Sequence, residues 1–202
     1  MRDAFRRLDE SPDLLFYRQA RLVLHIDEPA VAAVTQVYRE FLPAGGRILD
    51  LMSSWVSHLP EEVEYASVTG LGMNQQELDA NPRLDARIVH DLNREPTLPL
   101  ADALFDAATI CVSVQYLTQP VVVLRDVARV VASGGPLVIT FSNRCFPTKA
   151  VAIWQALGDA GHAQLIERYL TEAGTWRDIR ALDRSPHPGQ TDPLFAVVAY
   201  AQ

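Results

Sequence analysis

The sequence is poor in the features that mark several common classes of protein. It has two cysteines, Cys111 and Cys145, both in apolar surroundings, so we expect buried thiols rather than a disulfide or a metal site. No apolar run approaches the roughly 20 residues that cross a bilayer. The first residues carry acids among their bases and have no apolar core, so we expect no signal peptide. These absences predict a cytoplasmic protein without a bound metal.

Basic charge is scarce as well. The formal net charge is -7, and no run of lysine and arginine is longer than the pair Arg6 and Arg7. A nucleic-acid surface normally needs a basic face, because neutralised phosphates supply most of the affinity. We therefore expect neither a nucleic acid nor an anionic membrane as a partner.

Short apolar runs alternate with helical patterns over most of the chain. The predicted strands lie at 47–52, 65–71, 87–90, 105–114 and 136–142. Helices are predicted from about Glu28, over 119–132, over 148–160 and on to Ala173, where Gly174 ends the last one. Near-continuous apolar strands between helices indicate a parallel sheet covered on both faces.

The last two predicted strands, 176–183 and 194–201, are joined by a loop too short for a crossover helix, so this pair should be antiparallel. The expected fold class is α/β, a Rossmann-like doubly wound sheet of seven mostly parallel strands with a C-terminal antiparallel hairpin. We expect a single domain over 1–202, with an N-terminal helical cap segment at 1–45 and a core at 46–202.

Two segments resemble a known family. LPLADALFD at 98–106 is similar to the LPF-x-D-x-x-FD segment of class I S-adenosylmethionine (SAM)-dependent methyltransferases, and 124–139 is similar to their L-x-E-x-x-R-V-L-K-P-G-G-x-L-V-I segment. With Ile48-Leu-Asp50, the resemblance runs from about 47 to 142. It implies SAM as cofactor and methyl transfer to a small molecule by a monomer or homodimer.

The chain departs from that family at two places. Met52, Ser54 and Val56 stand where the family has the glycines of the turn after its first strand. Ser53 and Ser54 could still offer donors to the methionine end of SAM, and Ser54 would cap a short helix ending at Pro60. At the end of the second strand the family has an acid that binds the ribose, but this position is Gly72, and Asn74 or Glu77 could replace it.

The resemblance therefore implies a cofactor site of ten residues. They are Asp50, Met52, Ser53, Ser54, Gly72, Met73, Asn74, Asp91, Leu92 and Ser113. Asp91 is either the acceptor for the adenine amino group or only the cap of the next turn. Met73 lies either against the adenine or in the core.

Candidate catalytic and substrate-binding residues come from four segments. His58, one turn into the predicted short helix, could be a general base or simply a hydrogen-bonding residue at a helix end. Tyr17, Arg21 and His25 are four residues apart and would share one helix face, which meets substrate, the SAM carboxylate or only solvent. The candidate catalytic residues are His58, His25 and Tyr116, and the candidate substrate-binding residues are Tyr17, Arg21, Asn143 and Arg144.

Three functions remain open at this point. The first is transfer of a methyl group from SAM to a small molecule. The second is a methyltransferase-fold protein that has lost transfer activity and serves as a binding or regulatory protein. The third is non-methylating chemistry in the same pocket. The missing glycines and the missing ribose acid motivate the second.

Overall fold

Seven strands form one mixed sheet in the computed structural model, which describes residues 2–202. The strands are β1 (Arg47–Leu51), β2 (Ser67–Gly72), β3 (Ala86–Val89), β4 (Ala107–Cys111), β5 (Pro136–Phe141), β6 (Trp176–Asp183) and β7 (Phe195–Ala201). Their order in the sheet is β3-β2-β1-β4-β5-β7-β6. β7 runs antiparallel to both β5 and β6, and the other pairs are parallel. The predicted fold class is confirmed.

Within residues 2–202, six α-helices and two short 3-10 turns precede or connect the strands. The helices are α1 (Asp13–Phe16), α2 (Glu28–Phe41), α3 (Gln75–Ala80), α4 (Pro120–Val130), α5 (Ala152–Gln155) and α6 (Asp159–Ala173), and the 3-10 turns are Arg2–Phe5 and Val114–Tyr116. α2 begins where predicted because Asp27 caps it, accepting a hydrogen bond from the Ala30 amide at 3.0 Å. α6 ends at Gly174, whose φ of 74° lies in the left-handed region. Glycine adopts this conformation at little energetic cost because it has no Cβ. Within residues 2–202, no helix has both the length and the apolar character to cross a bilayer.

The sheet is covered on both faces. On one face, Val34 and Tyr38 of α2 pack with strand residues such as Ile48 and Val198. On the other, α4 and α6 pack with the alternate strand residues, among them Leu49. Chain order reverses between β1 and β4, and in open α/β sheets such a reversal leaves a crevice at the carboxyl ends of the strands.

Three helical predictions are wrong. No helix follows β1, because residues 53–66 run as turns and extended chain, with left-handed backbone at His58 (φ 54°). Residues 17–27 are also non-helical, so Tyr17, Arg21 and His25 share no helix face. The helix predicted over 148–160 shrinks to α5, because Gly158 starts α6 as its N-cap.

Candidate functional site

A cavity of about 390 Å³ lies at the carboxyl ends of β1 to β4. Its walls come from the segments that follow β1 to β5 and from the N-terminal segment, which contributes Asp13, Tyr17, Arg21, Leu24 and His25. Small-molecule sites are commonly of about 300–1,000 Å³ and lie at this topological position. The part of the chain that the structure describes has no group of three His, Cys, Asp or Glu residues placed to hold a metal ion.

The turn after β1 keeps a glycine-like backbone without a glycine. Met52 has a φ of 57°, in the left-handed region that side chains usually avoid. The next residue, Ser53, donates its amide to the carbonyl of Leu71 at 2.8 Å, so the turn runs on beside β2. Met52, Ser53 and Ser54 all line the cavity. A similar left-handed residue, Val112 (φ 46°), lies after β4 and also lines it, and non-glycine strain of this kind often occurs at functional sites.

Asp50 faces the interior rather than the cavity. Its carboxylate is 3% exposed and accepts hydrogen bonds from the hydroxyls of Ser53 (2.6 Å), Ser57 (2.6 Å) and Thr109 (3.2 Å). Burial raises the pKa of Asp50, and the three hydroxyls oppose that rise. Asp50 therefore holds the turn after β1 against β4, which is a structural role.

The end of β2 has no room for the acid of the resembled family. A Cβ on Gly72 would lie 2.2 Å from the carbonyl oxygen of Ser53. The turn after β1 occupies the space in which an aspartate or glutamate side chain would begin, so the absence of the ribose acid is built into the backbone.

The two proposed replacements for that acid are both engaged. Glu77 lines the cavity, but it accepts hydrogen bonds from the Ser54 hydroxyl and the Arg21 amide, each at 2.7 Å. Asn74 lies outside the cavity lining, where its amide donates to the carbonyls of Tyr17 and Arg18. Both side chains therefore fasten the N-terminal segment over the end of β2.

Asp91 caps the turn that follows it and also lines the cavity. It lines the cavity after β3, and its Oδ1 accepts the amides of Asn93 (3.0 Å) and Arg94 (3.2 Å), as a turn cap does. Its other carboxylate oxygen has no hydrogen bond within residues 2–202. Leu92 and Met73 also line this end, so the residues implied for an adenine come together here.

The N-terminal segment is held over the cavity by a buried ionic cluster that the sequence did not predict. Lys149 is fully buried, and its Nζ lies 3.1 Å from Oδ1 of Asp13 and 3.2 Å from Oδ2 of Asp9. Arg7 donates to both oxygens of Asp13 at 2.7 and 2.8 Å, and Asn93 donates to Oδ2. Burial would raise the pKa of Asp13, but these hydrogen bonds and charges hold it below its ordinary value. We call residues 7–25 the cap.

One signal could have pointed to this cluster: Lys149 is the only lysine in the chain. Every other Lys or Arg position is an arginine, so a solitary lysine stands out. Asp13 offered no comparable signal, because nothing near it in the sequence indicates burial.

The catalytic candidates separate into two groups. His25 and Tyr116 line the cavity, whereas His58 does not. Burial lowers the pKa of His25, so its imidazole is neutral at neutral pH and able to accept a proton. Burial raises the pKa of Tyr116, whose hydroxyl accepts the amide of Phe146 at 2.8 Å.

Among the candidates for substrate binding, three line the cavity and one does not. Tyr17, Arg21 and Arg144 line it, while Asn143 is exposed and lies outside. Arg144 pairs with Asp192 at 2.9 Å. Ser113, implied for the cofactor, also lines the cavity. Four of the candidate residues thus lie outside the cavity lining, namely Asp50, His58, Asn74 and Asn143.

The sheet order, the antiparallel β7 and the cavity at the β1–β4 reversal define the class I methyltransferase architecture. Residues 52–139 match the family model described as a methyltransferase domain. The chain has the fold of the class I SAM-dependent methyltransferase superfamily, as the sequence resemblance implied. No curated protein sequence matches the chain.

Several solved structures share this fold. The [4+2]-cyclase SpnF has a TM-score of 0.63 at 15% identity, with 90% of this chain and 88% of that chain covered. A SAM-dependent methyltransferase from Aquifex aeolicus has a TM-score of 0.61 at 18% identity, with coverages of 89% and 92%. Phosphoethanolamine N-methyltransferase 2 from Haemonchus contortus, in complex with S-adenosyl-L-methionine, has a TM-score of 0.61 at 13% identity; the match covers 84% of this chain and 52% of that one.

Proposed function

We propose that this protein binds SAM in the cavity and transfers its methyl group to a small molecule. The observation that carries the proposal is the position of Asp91, a cavity-lining carboxylate after β3 with one oxygen left for an adenine amino group. The methyltransferase-domain match and the fold support the same function.

The donors and acceptors of the cavity fit most of SAM. Asp91, Leu92 and Met73 would hold the adenine, and Met52 to Ser54 would lie beside the methionine end. The ribose hydroxyls would find no carboxylate at Gly72, so we expect them to compete for Glu77 with the Ser54 hydroxyl. Bound there, SAM supplies a methyl group on a sulfonium sulfur.

The residues after β4 would align the acceptor, since a displacement needs the nucleophile about 3 Å from the methyl group. His25 is the best-placed base for an acceptor that must lose a proton, because it lines the cavity and is neutral at neutral pH. A small molecule is the expected acceptor, because the cavity is enclosed on one side by the cap and the surface carries a net negative charge.

Calorimetric titration with S-adenosylhomocysteine tests the cofactor. The critical variant is Asp91→Asn, which keeps the oxygen that caps the turn and replaces the other with an amide that cannot accept. We expect about tenfold weaker binding or more, the effect of losing one hydrogen bond to a charged group. Asp178→Asn, on an exposed residue of β6 at φ 53°, is the matched control and should bind like the wild type. Absence of binding to the wild type at millimolar ligand would contradict the proposal.

One observation favours a second function, chemistry in this cavity without methyl transfer. The contact between Gly72 and the Ser53 carbonyl leaves no position for a ribose acid at β2. The [4+2]-cyclase SpnF, which shares the fold, is named for a reaction other than methylation. Binding of S-adenosylhomocysteine by a protein that consumes no SAM with any offered acceptor would favour this function over the first.

A further inference from the structure

Two polar atoms of cavity-lining residues are buried without a hydrogen-bond partner. Among residues 2–202 they are Nη1 of Arg21 and the hydroxyl oxygen of Ser113. A buried donor without an acceptor costs roughly 1–3 kcal/mol, so such atoms are rare unless a ligand or water completes them. Two residues beside the cavity, one on the cap and one after β4, therefore each carry a buried polar atom whose hydrogen bonding is incomplete.

The guanidinium of Arg21 has no carboxylate partner in the described chain. Its Nη2 donates to the carbonyl of Phe16 at 2.9 Å, which leaves the charge uncompensated. Arg144, the other arginine of the cavity, is already paired with Asp192. An unpaired, half-buried guanidinium beside a cavity favours an anion, and its planar donors match a carboxylate in particular.

Aromatic rings surround this guanidinium. Its Cζ lies 4.5 Å from the ring centre of Phe16 and 5.3 Å from that of Phe146. Phe146 in turn stacks on Tyr116 with ring centres 5.8 Å apart, and both line the cavity. The charge therefore lies beside the segment after β5. Flat apolar walls beside a cation favour a planar ligand with an anionic group.

We propose that Arg21 is the carboxylate-binding residue for the methyl acceptor and that the acceptor is a small aromatic acid. The carboxylate takes the Arg21 donors, the ring lies among Tyr116 and Phe146, and a second polar group of the ligand meets Ser113. That the aromatic acid accepts a methyl group rests on the proposed function. Its binding at Arg21 does not depend on SAM.

The test uses two probes of the same shape, benzoate and benzamide, titrated against the full chain with and without saturating S-adenosylhomocysteine. We expect benzoate to bind more tightly than benzamide, and Arg21→Gln to weaken benzoate by about tenfold or more while leaving benzamide unchanged. Arg21→Lys keeps the charge but loses the planar pair of donors, so we expect an intermediate loss. Unchanged benzamide binding also shows that the variant cavity is still folded.

Two results would overturn the inference. One is equal binding of benzoate and benzamide by the wild type, or no binding of either. The other is a loss of S-adenosylhomocysteine affinity in Arg21→Gln with benzoate unaffected, since Arg21 would then hold the cofactor's own carboxylate. If the wild type fails to bind S-adenosylhomocysteine but binds benzoate through Arg21, the proposed function fails and the aromatic-acid site stands.

Discussion

The ammonium of Lys149 lies 3.1 Å from the carboxylate of Asp13 in the cap, and both side chains are buried. Asp13 lines the cavity on its other side, so one ion pair joins the loop after β5 to the wall of the candidate site. A ligand that enters through the cap must move residues that this pair holds. The cluster thus fastens the N-terminal segment to the wall of the cavity.

Because Lys149 is the only lysine, amine acetylation reports on this cluster directly. In the native protein we expect Lys149 to react at least about 100-fold more slowly than in denaturant, as for a group exposed only by local opening. Asp13→Asn should speed the reaction of Lys149, and Asp3→Asn, on an exposed residue, should not. Mass spectrometry after timed labelling gives both rates. Labelling of Lys149 at the rate of a free amine would contradict the buried pair.

Removing the ammonium should destabilise the protein. For Lys149→Met we expect a loss of about 3 kcal/mol in the free energy of unfolding, at the lower end for a broken buried pair because Arg7 still neutralises Asp13. Denaturant titration measures this change. Arg168→Met, in an exposed pair with Glu172, is the control and should change it by less than about 1 kcal/mol. Equal effects of the two substitutions would show that the Lys149 cluster contributes no more to stability than an exposed ion pair does.

Restoring the family's acid should harm this protein. Gly72→Asp introduces a Cβ that would meet the Ser53 carbonyl at 2.2 Å, so the backbone after β1 or β2 has to shift. We expect a loss of stability of about 1–3 kcal/mol or more and no gain in S-adenosylhomocysteine affinity. Gly72→Ala should be similarly destabilised, because the collision involves the Cβ that both share. Thermal unfolding and calorimetry check the two quantities. A Gly72→Asp variant that is as stable as the wild type and binds S-adenosylhomocysteine more tightly would contradict this prediction. The turn after β1 would then be able to move away from the added Cβ at little cost.

Acid should destabilise the fold partly through His58. Burial, and to a smaller extent the charge of His25, lowers the pKa of His58 from 6.5 to about 4. Between pH 6.5 and about pH 4, the unfolded chain therefore binds a proton at this residue that the folded chain does not. The free energy of unfolding falls by up to about 3 kcal/mol as the pH drops through that range. His58→Asn removes this contribution and suits the left-handed φ of 54°. Denaturant titrations at pH 7 and pH 4.5 should show a smaller difference for the variant; an identical difference would exclude His58 as the cause.

A glycine should stabilise one exposed turn. Ala103 has a φ of 50°, and left-handed backbone costs a residue with a Cβ about 1 kcal/mol. Ala103→Gly should therefore raise the free energy of unfolding by several tenths of a kcal/mol, offset in part by the greater freedom of glycine in the unfolded chain. Ala101→Gly, two residues earlier and outside the left-handed region, should lower it. If both substitutions lower the stability equally, the backbone at Ala103 carries no strain.

Several elements could be predicted closely from the sequence because their signals are local. α2 has a capping Asp27 and a proline in its first turn, and β6 follows the helix-ending Gly174. The short loop before β7 required an antiparallel pair, which the structure contains. Asp91 and Leu92 could be placed at the cavity because they directly follow a predicted strand.

The errors lie where long-range contacts override the local pattern. Ser54 to Pro60 reads as a capped helix, but the backbone there is non-helical, and the hydroxyls of Ser54 and Ser57 bond to Asp50, Glu77 and Asn81 instead. The spacing of Tyr17, Arg21 and His25 suggested one helix face. These residues do reach the cavity, but as extended chain held by Glu77 and Asn74.

The sequence by itself determined the strands, their parallel order, the antiparallel hairpin and the absence of the turn glycines after β1, because each depends on residues adjacent in the chain. Only the tertiary structure decided what replaces those glycines. It bends Met52 into a left-handed conformation, turns Asp50 inward and seats the Ser53 carbonyl against Gly72. It also brings Lys149 against Asp13, which lies 136 residues earlier in the sequence. Either charge alone would be too costly to bury there. Contacts over such separations leave no periodic trace in a sequence, since nothing near either residue signals its partner.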